Sequence, residues 1–112
     1  MNTFKNTFAL LLISLLFSSC IHTDKVNNLK LGNEYAKDGL YREAATFFSK
    51  ALAVNEKNHH ARRNLGVVQV KLGLYQKAIY NLEDSVQHLS KNFQNNYYLA
   101  EAYRASNSFD KA

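Results

Sequence analysis

The chain has 112 residues, a formal charge of +5, four glycines, no proline and a single cysteine. One cysteine excludes an internal disulfide, and a mild basic excess spread along the sequence argues against a nucleic-acid binder, which needs a clustered basic face. The length fits one domain, and the lack of proline together with the scarcity of Val and Ile favours helix throughout.

The first element is a leader. Met1 to Thr7 is polar with one cation, Lys5; Phe8 to Phe17 is uncharged and largely apolar; Ser18, Ser19 and Cys20 follow. That is the layout of a secretory signal peptide, and the apolar run is shorter than the roughly 20 residues a bilayer span requires. Leu16-Phe17-Ser18-Ser19-Cys20 resembles the lipobox of bacterial lipoproteins, with Phe17 standing where Leu is commonest. The resemblance implies that residues 1–19 are removed and that Cys20 becomes a lipidated N-terminus. Residues 20–24 then comprise the lipidated cysteine and a short tether, Ile21 to Asp24, that holds the rest within roughly 15 Å of a membrane, at about 3.3–3.6 Å per residue. Ordinary signal-peptide cleavage beside an incidental cysteine is the alternative, although an unpaired thiol in an oxidising compartment is a liability.

From Lys25 onward the chain falls onto itself when shifted by 34 residues: Leu31-Gly32 returns as Leu65-Gly66 and Leu99-Ala100, and Gly39-Leu40-Tyr41 returns as Gly73-Leu74-Tyr75. Ala44 matches Ala78 and Ala112, and Phe48 matches Leu82. A fixed period in this range marks a solenoid of repeated units. Within the first unit Tyr41, Ala44, Ala45, Phe48, Ala51 and Leu52 share one helical face, as do Tyr75, Ala78, Ile79, Leu82, Val86 and Leu89 in the second. The preceding helices carry Leu31 and Tyr35, then Leu65, Val68 and Leu72, then Leu99 and Tyr103. Gly39 and Gly73 are expected between helices in the left-handed conformation, with Asn107 taking that place in the third unit. Gly32, Gly66 and Ala100 are expected to admit a close partner helix, with Ala44 and Ala78 as their counterparts.

These residues resemble the tetratricopeptide repeat (TPR) family, the first unit most closely through Leu31, Gly32, Tyr35, Ala44, Phe48 and Ala51. The expected fold is all-α, a tandem helix-turn-helix solenoid of two full repeats, 25–58 and 59–92, plus an incomplete third, 93–112. Asn28, Arg62 and Asn96 stand where the family often has Trp, Glu56 and Ser90 where it often has Pro, and Gln69 replaces the aromatic found at Tyr35 and Tyr103. Ala112 falls near the start of a second helix, so the sequence reads as the front of a longer protein or an early-terminated frame.

Catalytic patterns are lacking: there is no HExxH, GxSxG or glycine-rich phosphate loop. His59 and His60 point about 100° apart on a helix, a poor pair for one metal, and no acidic or thiolate cluster is expected to join them, so both are expected in solvent, with no metal and no cofactor. Glu83 and Asp84 face different ways. The chain is expected not to be an enzyme.

The resemblance implies a concave surface lined by the first helix of each unit. It places Leu29, Asn33 and Lys37 there from the first unit, Arg63, Val67, Val70 and Lys71 from the second, and Gln94, Tyr97, Glu101 and Arg104 from the third. Of these, Asn33, Lys37, Arg63, Val67, Lys71, Tyr97 and Arg104 are the candidate partner-binding residues. A basic surface with an aromatic suits an acidic peptide segment. Asn33 and Asn64 match two positions of the family's carboxylate clamp, but Leu29, Gln94 and Tyr98 replace its cations, so the clamp itself is not expected. The expected role is a protein-binding scaffold or assembly factor on the bacterial cell envelope, attached to a membrane (the outer one, on its periplasmic or surface side) by the lipid anchor. A glycan- or nutrient-binding envelope lipoprotein and the docking region of a longer enzyme are the alternatives.

Overall fold

The computed structural model describes residues 28–89 and 91–110. The leader, Cys20 with its tether, and Ala112 lie outside the described residues. Within them the chain forms five helices and no strand: α1 (Asn28–Lys37), α2 (Tyr41–Val54), α3 (His59–Lys71), α4 (Tyr75–His88) and α5 (Phe93–Asp110). No helix among the described residues is long and apolar enough to cross a membrane.

The turns repeat with the sequence. Gly39 and Gly73 adopt φ values of 78° and 74°, which a glycine reaches at no steric cost. Each closes its helix in the same way: Leu40 N donates to Tyr35 O at 2.9 Å and Leu74 N to Gln69 O at 2.8 Å. These bonds satisfy carbonyls that a helix C-terminus leaves open. Helix starts are also periodic. Asn58 Oδ1 accepts from Ala61 N at 3.1 Å, and one period later Asn92 Oδ1 accepts from Gln94 N at 3.0 Å. An asparagine just before a helix relieves an orphan N–H in this way.

Two hydrophobic clusters follow the repeats. Ala44, Phe48, Leu65 and Val68 join α2 to α3, and Val70, Ala78, Leu82 and Ala102 join α3, α4 and α5. The faces expected of α2 and α4 are the ones turned inward. Helices α1 and α3, and then α3 and α5, also touch, so the first helices of successive pairs lie side by side.

Three expectations need correction. The close partner of Gly32 is Phe48 rather than Ala44, since a Cβ on Gly32 would run into the Phe48 ring; the partner of Gly66 is Leu82, whose Cγ would lie 2.7 Å from such a Cβ. The glycines thus receive large side chains one turn along from the expected alanines. Ala100, the third residue of that series, is exposed among the described residues. Asn107 does not cap α5, which runs on to Asp110. Asparagine carries a Cβ that glycine lacks and so meets a steric cost in the left-handed region, and no described residue other than Gly39 and Gly73 has positive φ.

Asn95 is a fully buried polar side chain without a partner among the described residues: it is 1% exposed, and neither its side-chain oxygen nor its nitrogen finds a hydrogen bond there. The period places it where Ala61, fully buried, stands in the preceding unit. An unsatisfied buried polar group costs about 1–3 kcal/mol, so Asn95→Ala should stabilise the fold by up to that amount. Urea melts of the two proteins should show a higher midpoint for the variant; an equal or lower one contradicts the assignment.

Candidate functional site

The first helices present a shallow cleft of about 180 Å³ lined by Asn33, Ala36, Phe48, Asn64, Val67, Val68 and Gln94. Its position follows from the repeat. Asn33 and Val67, one period apart, lie on the same side of α1 and α3, and Gln94 comes from the first turn of α5. Phe48 reaches the cleft from α2 because Gly32 leaves room for its ring. The floor is therefore apolar and the rim is made of amides.

Those amides are already ordered. Asn64 Nδ2 donates to Asn33 Oδ1 at 2.7 Å, and Arg63 Nε donates to Asn64 Oδ1 at 3.0 Å. Asn64 is bonded through both of its ends, whereas Asn33 is bonded through its oxygen and its Nδ2 can meet a ligand. Beside the cleft, Lys71 Nζ lies 5.3 Å from the centroid of the Tyr98 ring, and Tyr97 meets Tyr98 edge-on with centroids 5.2 Å apart. Tyr97 is 55% exposed.

The candidate binding residues do not form one patch. Asn33 and Val67 share the cleft. Arg63 lines a separate hollow with His60, Leu89, Lys91 and Asn92. Lys37, Lys71 and Arg104 are exposed at other points along the same row of helices. Val70, also expected on the surface, is instead 6% exposed and packs with Ala78, Leu82 and Ala102. It faces α4 and α5.

Behind the cleft, α3 and α4 share a polar seam. Asn81 Nδ2 donates to the buried Gln69 Oε1 at 2.7 Å, and Asn81 Oδ1 accepts from an Arg62 NH1 at 3.4 Å. Arg62 continues to Asp84, with Nε 3.2 Å from Oδ2. Two residues that depart from the family pattern, Arg62 and Gln69, are thus the ones this seam joins. Sequence spacing gave no signal for it, because its members lie on different helices.

Further along α4, the Tyr103 hydroxyl donates to Glu83 Oε1 and ties α5 to α4. That hydrogen bond, partial burial and the nearby carboxylate charge raise the phenol above its ordinary value. The contact therefore holds while the phenol is protonated and is lost as pH rises through the raised value. Tyr103 is 41% exposed, so its contribution is a surface one.

No family model matches the chain. No curated protein matches it either. Among solved structures it is similar to a thermophilic TPR protein of Thermus thermophilus, with 32% sequence identity and a TM-score of 0.68 over 79% of this chain and 44% of that one. The chain spans less than half of that protein's length. The five helices, their periodic glycine turns and this likeness together make the fold a tetratricopeptide-like helical repeat.

Proposed function

We propose that the chain is a protein-binding scaffold of a bacterial cell envelope, held at the membrane by a lipid on Cys20 and taking an extended partner segment along α1, α3 and α5. The observation that carries the binding half is the cleft, an apolar floor under Asn33, Asn64 and Gln94. Amide side chains both donate and accept, which matches the main chain of an extended peptide. A cleft this small holds one side chain of such a segment, so recognition spreads along the helix row. Lys37, Lys71 and Arg104 add positive charge there, which favours an acidic segment. The tether half rests on the resemblance of Leu16–Cys20 to a lipobox.

A photo-crosslinking residue placed at Lys71, on the first-helix side, should trap a partner in intact cells, whereas one at Lys77, on α4, should not. Equal trapping at both positions overturns the binding surface. For the tether, cells fed labelled fatty acid should label the wild-type protein and leave Cys20→Ala unlabelled. An unlabelled wild type, or label kept by the variant, removes the lipid anchor.

A further inference from the structure

We propose that His59, Asp84 and His88 form a binding site for a late first-row divalent metal ion of the zinc type. His59 is far in sequence from Asp84 and His88, and the antiparallel pair α3–α4 brings it beside them. His59 opens α3, His88 closes α4, and Asp84 lies one turn before His88 on the same helical face. Their ligand atoms all lie within 4.8 Å of one another. Asp84 Oδ2 sits 3.9 Å from His59 Nδ1 and 4.0 Å from His88 Nδ1.

Two nitrogens and one carboxylate oxygen are a donor set that suits zinc and its neighbours, with the fourth position left to water. Bonds of about 2.0–2.2 Å in a tetrahedron put ligand atoms roughly 3.3–3.6 Å apart. The cluster needs to contract by well under 2 Å, within reach of side chains at helix ends. His59 Nδ1 is buried and has no hydrogen-bond partner. A buried ring nitrogen beside a carboxylate, with no hydrogen bond to satisfy it, is the kind of exception that binding of an ion explains.

Two features oppose binding and sharpen the test. The His59 and His88 rings are stacked, with centroids 3.8 Å apart and planes 9° from parallel. An ion lies near the plane of each ring that binds it, so one ring must turn. His88 is the freer ring: it ends α4, its side chain is 45% exposed, and its Nδ1 is held only by Asp84 O at 2.9 Å. The second opponent is Arg62, whose Nε approaches the same Asp84 oxygen at 3.2 Å without an aligned hydrogen bond. Its guanidinium is also held by Asn81 Oδ1 and by Glu56 O. A neutral side chain at position 62 should therefore strengthen metal binding.

The full chain is titrated with zinc chloride by calorimetry and with cobalt chloride by visible absorbance. One ion per chain is expected, with the intense absorbance of tetrahedral cobalt. His59→Ala, Asp84→Asn and His88→Ala should each weaken binding by at least about 10–100-fold, since removing even an outer-shell partner costs that much. His60→Ala, on the exposed neighbour, should leave it unchanged, and Arg62→Gln should tighten it. Asp84→Asn keeps the shape of a half-exposed side chain and His88 is exposed, so these two variants remain informative if His59→Ala misfolds. No binding by the wild type overturns the proposal. So does binding that survives both Asp84→Asn and His88→Ala, or that is lost in His60→Ala.

Discussion

Phe48→Ala should destabilise the protein by about 3–5 kcal/mol, the usual cost of removing a buried phenylalanine ring. Phe48 is 1% exposed and stands where three helices meet. It fills the space over Gly32 on α1, belongs to α2, and packs in the cluster with Leu65 and Val68 of α3. Alanine would leave a cavity under the cleft that the surrounding helices can close only in part. Stability in a stacked array is a sum of unit and neighbour terms, so the loss should be local before it is global. Hydrogen exchange should quicken throughout α1 and α2 while α4 and α5 keep their protection. A uniform loss of protection along the chain would show that the array melts as one unit. A change below about 1 kcal/mol in the urea midpoint free energy would show that Phe48 is not central to the core.

Most of the fold was legible because its determinants repeat at short range. Gly39 and Gly73 announce the turns by residue type, and the faces of α2 and α4 by three- and four-residue spacing. What depended on the rotation of one helix against another was not legible. Gly32 and Gly66 announced a close approach, but whether an alanine or the large residue one turn on fills it is set by the stagger between helices. Val70 lies beside Lys71 in a stretch assigned to the surface, and only the docking of α4 and α5 turns it inward. The seam through Gln69, Asn81 and Arg62 has the same origin, as does the His59, Asp84 and His88 cluster. Each joins residues on separate helices, and sequence spacing carries no phase between helices. For the cleft, the family resemblance implied one surface for Asn33 and Val67, and the structure brings both to it with Asn64, while Arg63 lines a neighbouring hollow and reaches the rim through its bond to Asn64. Asn107 shows the limit of reading by analogy: it holds the place of a glycine turn, yet α5 continues through it.

The fit of Leu82 against Gly66 yields the second large effect, because either side of the contact can be changed alone or together. A Cβ on residue 66 would lie 2.7 Å from Leu82 Cγ and 2.9 Å from Cδ2, with Asn81 Cβ at 3.4 Å. Leu82 is fully buried and has no open space to retreat into. Gly66→Val should therefore cost about 1–3 kcal/mol through overpacking, even though valine has a higher helix propensity than glycine. Leu82→Ala should cost about 2–5 kcal/mol by leaving a cavity. In the double variant the valine occupies part of the space that leucine vacated, so the two losses should fall short of their sum by about 0.5–3 kcal/mol. Denaturant melts of the four proteins measure this directly. Additive losses would mean that the backbone moves apart to admit the valine. Leu82 would then not be what holds α3 and α4 at their spacing, and the glycine at position 66 would have to be explained by something other than the close approach of Leu82.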